Sequence, residues 1–441
     1  MSRPIPPPAR LDRRGFLRAA TAGAVGAALA PEILAARARA SAMERAEIRI
    51  ALIGCGGRGT GAAIQALSTA GPVRLVAMAD GFRDRLERCH ADVAGEAGAA
   101  KVDVPEERRF VGFDGYLKAM DCDVDLVLLA TPPGFRPMHF EHAVARGRHV
   151  FMEKPLAVDA PGVRQVLTAA EAADAKGLKI GVGLQRHHHP GYRETVRRIQ
   201  DGAIGDLALL RAYWNSAGVW VNPRQPGQSE MEHQMRNWYY FNWLCGDHIV
   251  EQHIHNLDVC NWIMDDFPAR AEGMGGRQIR TGKEFGEIYD HHMVEFTYRN
   301  GVKLLSQCRH MTNCADNVSE HAHGARGWAD VSGHRIVSEG GWEWRFTGAA
   351  ADPFQQEHHD LFAAIREGAP YNEAYYGARS TMTAILGRMA TYSGRVVGWE
   401  EALASNLAYR PSAYAWDGTP PSLPDANGFY PVPMPGITQA F

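Results

Sequence analysis

Gly54-Cys55-Gly56-Gly57-Arg58-Gly59 is a glycine loop with the spacing Gly-x-Gly-x-x-Gly. Such a loop lets the chain turn tightly and brings backbone N–H groups against a pyrophosphate. A helix starting there adds partial positive charge at its N-terminus. Asp80 stands 21 residues beyond Gly59, close to the ~20 expected for an acid that binds the adenosine ribose hydroxyls. A carboxylate there repels a 2′-phosphate, so the spacing predicts NAD rather than NADP. Arg83 is the nearby cation that would favour NADP. Asp80 also reads as a helix N-cap after a strand, a role compatible with the first.

Asp247, Glu251, His255 and Asp258 form a second chemical group. On one continuous helix they fall at i, i+4, i+8 and i+11 and share a face. Leu257, Val259, Trp262 and Ile263 would anchor that helix in a core, although a solvated face is the alternative reading. His248, Glu251, His253 and His255 are metal ligands by type. On one helix, however, His253 and His255 point about 200° apart. A shared ion would need help from Asp290-His291-His292 or His187-His188-His189, and no metal is assigned.

The elements that must position these residues are legible as apolar runs. Ile48–Ile53 reads as a buried parallel strand, followed by the glycine loop and a helix over 60–67. Val73–Ala79 ends at Asp80, Val124–Ala130 ends in Thr131-Pro132-Pro133, and His149–Met152 ends in Glu153-Lys154-Pro155. In open parallel sheets, ligands sit outside the carboxyl ends of strands. Gly54, Asp80, Thr131 and Lys154 converge there. Later runs suit a mixed, mostly antiparallel sheet. His292–Tyr298 and Val302–Ser306 flank an Arg299-Asn300-Gly301 turn, a hairpin signal, and Trp328–Val337 and Trp342–Phe346 suggest further strands. Helices are expected over 357–366 and 381–393, with a proline-rich arm over 411–441.

These motifs together resemble the glucose–fructose oxidoreductase/inositol dehydrogenase (Gfo/Idh/MocA) family. The resemblance rests on the glycine loop, Ala-Thr-Pro-Pro, His139 and Glu-Lys-Pro. It extends through Gly181-Val182-Gly183-Leu184-Gln185-Arg186, which looks like the last Rossmann strand, and through the acid-x3-His-x2-Asp segment ending at Asp258. It implies an α/β chain with a parallel-sheet Rossmann domain over 46–183 and an α+β domain with a mixed open sheet over 184–410. The implied cofactor is tightly held NAD, bound by Gly54, Gly56, Gly57, Arg58, Gly59 and Asp80. Thr131, Pro132, His139, Glu153, Lys154 and Gln185 would complete that site. Lys154, His255 and Glu251 are the expected catalytic residues, with Lys154 and His255 carrying proton transfer. Glu251 stands where the family commonly has Asp, and His253 replaces a small residue that would otherwise leave the pocket wider. Arg186, His187, Arg236, Asn237, His253 and Asp258 are the expected substrate contacts, within aromatic-rich stretches that also suit core packing.

Composition narrows the function class. Net charge is −3, and the first 42 residues hold seven arginines against Asp12 and Glu32, so the remainder stands at −8. An acidic body argues against nucleic acid as partner. No apolar run of membrane-spanning length follows the N-terminus. Seven cysteines without a Cys-x-x-Cys pair indicate neither a zinc ribbon nor a redox motif. Arg13-Arg14-Gly15-Phe16-Leu17, a small-residue run and Ala40-Ser41-Ala42 read as a twin-arginine signal peptide over 1–42, which predicts a periplasmic or secreted protein that meets the twin-arginine export machinery. A basic tail on a cytosolic enzyme is the alternative. The expected activity is oxidation of a sugar hydroxyl by hydride transfer. The rivals are an NAD-dependent glycosidase working through transient C3 oxidation and elimination, and a nucleotide-bound binding protein. The open sheet predicts a dimer or tetramer.

Overall fold

The structure, a computed structural model, describes residues 46–441. The expected signal peptide lies outside the described residues. Short apolar strands alternate with helices through the first part of the chain. In order these are β1 (Ile48–Ile53), α1 (Gly57–Leu67), β2 (Val73–Asp80), α2 (Arg83–Ala97), β3 (Arg109–Val111), α3 (Gly115–Asp121), β4 (Leu126–Leu129), α4 (Arg136–Ala145), β5 (His149–Met152), α5 (Ala160–Ala175) and β6 (Ile180–Val182). Strand β4 is buried at every position, as covering by helices on both faces requires. The six strands pair in parallel in the order β3-β2-β1-β4-β5-β6. That order reverses between β1 and β4, so a crevice opens beyond their carboxyl ends. The Rossmann expectation is met, with the short edge strand β3 added.

The second part continues with α6 (Pro190–Gln200), β7 (Leu207–Ser216), α7 (Glu230–Arg236), α8 (Asn242–Cys245), α9 (His248–Glu251), α10 (Ile254–Met264), β8 (Pro268–Gly276), β9 (His291–Tyr298), β10 (Lys303–His310), β11 (Asn317–Gly324), β12 (Gly327–Asp330), β13 (Arg335–Ser338), β14 (Glu343–Arg345), α11 (Pro353–Glu367), α12 (Ala374–Ser393), β15 (Val397–Gly398) and α13 (Trp399–Ala404). Nine strands run in the order β14-β13-β12-β11-β7-β10-β9-β8-β15. Only β7 and β10 pair in parallel, so the sheet is mixed and mostly antiparallel, as expected. The β9–β10 hairpin turns at Gly301, whose φ of 88° favours glycine. Buried and half-exposed residues alternate along β10, with helices α10 and α12 packed on the sheet.

Three expectations need correction. The run Trp328–Val337 is two antiparallel strands with a turn between them. Strand β7 is central in the second sheet, although its sequence draws attention only for its aromatics. The third concerns the expected continuous helix over 247–258. Asp247 has φ 75° and precedes the helix, and α9 stops at Glu251. His253 N–H bonds the His248 carbonyl, five residues back, before α10 starts afresh. The extra residue in that turn shifts the phase, so the four ionisable side chains do not share one face: Asp247 turns to His248 and His292, Asp258 to His187, and Glu251 and His255 to the side of Lys154. None forms a solvated face: all four are buried. Beyond Ala404 the described chain has no helix or strand. No helix among the described residues is long and apolar enough to cross a membrane.

Candidate active site

A cavity of about 700 Å³ lies along the carboxyl ends of β1, β2 and β4, walled by the glycine loop, Asp80, Thr131 and Pro132. Its shape depends on two glycines. Gly54 has φ 98°, and a Cβ there would stand 2.5 Å from the Ala130 carbonyl carbon; a Cβ on Gly59 would stand 1.9 Å from the Gly54 oxygen. The turn and the start of α1 can therefore close against the sheet only without side chains. Gly56 and Gly57 face open space, as a floor that admits a diphosphate must.

Asp80 braces this loop. Its carboxylate accepts the Cys55 N–H at 2.7 Å and the Phe82 N–H at 2.8 Å. Burial raises its pKa, against those two hydrogen bonds. Helix α2 is capped at Phe82, so Asp80 serves the loop rather than the helix start. Arg83 turns to Glu87 and Glu106 at the surface. Arg85 and Arg88 reach the cavity wall instead, cations that the spacing argument passed over.

Arg58 leaves the loop to pair with Glu153 at 2.6 Å. Thr131 Oγ1 lies 3.2 Å from His139 Nδ1. Burial, aided by the positive charge of Arg136, pushes His139 down to about 3, so its ring is neutral. Buried Arg136 donates to the Leu129 and Thr131 carbonyls at 2.6 and 2.7 Å, fixing the end of β4. Nothing in the sequence distinguishes that arginine from a surface one. Gln185 begins a single 3-10 turn after β6, and its buried Oε1 has no hydrogen-bond partner.

Off the end of β5, Lys154 precedes a cis proline and reaches across to α9. Its ammonium donates to the Glu251 carbonyl and, at 3.0 Å, to Glu251 Oε1. Both side chains are about one-tenth exposed. Burial raises the Glu251 carboxyl, the Lys154 charge opposes that rise, and buried Tyr239 faces the same carboxylate. Oε2 of Glu251 has no hydrogen-bond partner. His255 is held well below its ordinary value by burial and then by the charges of Lys154, Arg186 and Arg58. Its neutral ring lies along Trp214, and its Nδ1 has no partner. The structure thus brings Lys154, Glu251 and His255 into one neighbourhood. None of the three lines the cavity wall.

The expected substrate contacts are more dispersed. Arg186 is ion-paired with buried Glu320, which also accepts from Tyr192 and Asn256. His187 pairs with Asp258 at 2.9 Å and is sandwiched between Trp262 and Tyr376. His253 turns to Ser306 on β10. Asn237 has both amide atoms committed, to the Asn222 N–H and the Glu284 carbonyl. Arg236 pairs with Asp84 and lies over the Phe82 ring. The aromatic stretch does contribute to the cavity, through Trp220, Asn222 and Trp238.

Comparison with known proteins agrees with this layout. Residues 48–184 match the family description "Oxidoreductase family, NAD-binding Rossmann fold", and residues 192–330 match the "GFO/IDH/MocA C-terminal domain". Inositol 2-dehydrogenase 3 of Saccharopolyspora erythraea is 26% identical over 367 residues, covering 79% of this chain and 95% of that protein. The myo-inositol dehydrogenase Hyg17 of Streptomyces leeuwenhoekii is 31% identical over 208 residues, 46% of this chain and 57% of that one. Among solved structures, levoglucosan dehydrogenase in complex with NADH and levoglucosan superposes with TM-score 0.63 at 16% identity, covering 80% of this chain and 99% of its own. Aldose-aldose oxidoreductase from Caulobacter crescentus gives 0.61 at 18% identity, covering 80% of this chain and 100% of its own. At those identities the structural likeness speaks for the fold. The two family matches span well over half of the sequence, in the order of the two sheets, and the chain belongs to the Gfo/Idh/MocA family of oxidoreductases with an NAD-binding Rossmann fold.

Proposed function

We propose that this chain is an exported, NAD-dependent dehydrogenase that oxidises a secondary hydroxyl of a sugar or cyclitol. The observation that carries the reading is the buried Lys154–Glu251 pair with neutral His255 beside it, off the edge of the sheet that holds the glycine loop. The inositol dehydrogenases among its relatives support a ring polyol as the substrate class. When bound, the dinucleotide supplies the hydride acceptor. The residues of the chain do the rest. Lys154 donates a hydrogen bond to the reacting hydroxyl oxygen and stabilises the negative charge that grows there. The neutral His255 imidazole takes the proton. Glu251 fixes the direction of the lysine ammonium, and burial of the group excludes water.

Asp80 supports NAD over NADP, and the open loop floor supports tight binding. The twin-arginine motif supports export of the folded, cofactor-loaded chain to the periplasm. The exposed side of the second sheet, with Met274, Met293 and Val318 outward, supports a homo-oligomer. Domain divisions at 183 and 410 are part of this reading, which the separate parallel and mixed sheets support. The test is mass spectrometry of the denatured protein for retained NAD(H), followed by single-turnover absorbance with inositols and aldoses. Failure of every polyol to change the nicotinamide spectrum would leave a binding protein.

A second reading is favoured by Glu251. Its raised carboxyl with a free Oε2 is suited to remove a C2 proton from a sugar already oxidised at C3, which would expel an aglycone. Release of nitrophenol from a nitrophenyl glycoside, dependent on bound NAD, distinguishes that outcome from simple oxidation.

A further inference from the structure

Asp247, His248, His292 and His310 make a second cluster of ionisable groups, and the proposed reaction uses none of them. They are 0%, 0%, 3% and 1% exposed. Left-handed Asp247 is aimed by its surroundings: Oδ2 accepts from the Tyr392 hydroxyl and from the Tyr289 N–H at 3.0 Å. Oδ1 then lies 2.9 Å from His248 Nδ1 and 3.3 Å from His292 Nε2. Despite those separations neither nitrogen makes a hydrogen bond, and nor does His248 Nε2.

The far side of His292 decides what its Nε2 can be. Nδ1 lies 3.0 Å from Thr391 Oγ1. Thr391 Oγ1 also lies 3.2 and 3.1 Å from the Gly387 and Arg388 carbonyls; with its one hydrogen given to either of them, Oγ1 accepts and Nδ1 of His292 carries the hydrogen. The neutral ring then presents a lone pair at Nε2, towards a carboxylate oxygen. Two lone pairs facing each other in a dry interior repel unless a cation lies between them. Ligand atoms around a tetrahedral ion, with bonds of about 2.0–2.1 Å, sit ~3.3 Å apart and point at the ion rather than at one another. The two nitrogen–oxygen separations here, 2.9 and 3.3 Å, fall near that spacing, and all three ligand atoms lie within 4.8 Å of one another.

We infer that Asp247, His248 and His292 bind a divalent transition-metal ion of the zinc class, which fixes the turn leading into α9. The donor set of two imidazoles and one carboxylate suits that class. Thr391, Tyr392 and Tyr289 supply the hydrogen bonds that orient such ligands. His310 packs against the His248 ring at 4.5 Å with both nitrogens unpartnered, an adjacent donor for a fourth position. The ion is structural: it holds the residue four before Glu251 and leaves the lysine pair outside its coordination.

The test uses the full-length, tag-free protein. It is stripped with chelator, reconstituted with Zn(II) or Co(II), and analysed for metal by inductively coupled plasma mass spectrometry. The expected result is about one equivalent per chain. Co(II) should give visible bands of a four-coordinate nitrogen/oxygen site, and Tm should rise with free Zn(II). His292→Ala and Asp247→Asn should lose the metal while His291→Ala, on the half-exposed neighbouring ring, retains it. If the site variants fail to fold, the wild-type stoichiometry and Co(II) spectrum still decide. Wild-type protein that takes up neither ion and keeps its Tm in chelator would overturn the inference. So would metal retained by both site variants.

Discussion

Replacing Asp80 with Asn separates bracing of the loop from recognition of the ribose. The carboxylate accepts two backbone N–H groups, from Cys55 and Phe82. Asn keeps one acceptor and turns an NH2 group toward the other N–H. Net hydrogen bonds to charged groups are worth about 1.5–3 kcal/mol, so the folded state should lose about 2 kcal/mol. The lone pairs left over in Asp80 are the ones available to ribose hydroxyls, and losing a charged acceptor there should weaken NADH by roughly 10- to 100-fold. NADPH should lose less, because the substitution removes a repulsive charge while Arg85 and Arg88 still face the cavity. Fluorescence titration with both reduced cofactors, beside calorimetry, reads the two effects apart. If the variant melts earlier and still binds NADH as the parent does, Asp80 is only a brace and the cofactor argument fails.

Lys154→Met should leave a buried, unpaired Glu251 carboxylate and cost about 3–5 kcal/mol. Adding Glu251→Gln should recover much of that loss in calorimetry; a double variant no better than the single would deny the coupling. His255→Asn should cut turnover by about 10²–10⁴-fold with NADH affinity kept, measured by single turnover and titration. His233, pushed down to about 4 by burial and by Arg224, is neutral when folded and titrates higher when unfolded. Its contribution to stability is therefore present above the ordinary histidine range and lost as pH falls toward 4. A Tm–pH curve should flatten on the acid side in His233→Asn. His188 has the opposite sign. Burial opposes its charge, but the Asp360 carboxylate, hydrogen-bonded to Nδ1 at 2.7 Å, and the Glu373 carboxylate, 3.1 Å from Nε2, raise it to about 9. That stability is full below about pH 6.5 and fades as pH rises through 9. Asp360→Asn should lower Tm more at pH 7 than at pH 10, where only its contacts with Arg193 and Gln356 are lost; equal losses at both would contradict the assignment.

The parallel sheet was legible because strands covered on both faces read as unbroken apolar runs. Their carboxyl ends then marked Gly54, Asp80, Thr131 and Lys154 without any side-chain geometry. The Lys154–Glu251–His255 neighbourhood was legible only through the family resemblance, since its members come from separate parts of the chain. What misled was a periodicity that assumes one helix. The five-residue turn at His253 is set by Asp247, held left-handed by Tyr392 and Tyr289 from distant elements. No local signal in Gly246-Asp247-His248 announces that. Arg136, Arg85 and Arg88 were missed for a related reason. An arginine bound to strand-end carbonyls or facing a cavity has the same letter and flanks as a solvated one.

The most direct test of the central claim is rapid mixing of NAD-loaded protein with single inositols and aldoses while following absorbance in the NADH band. The account predicts a burst of reduced nicotinamide with at least one ring polyol, absent in His255→Asn. A chain that neither retains nor takes up NAD, or a wild-type trace as flat as the variant's across the whole panel, would contradict it.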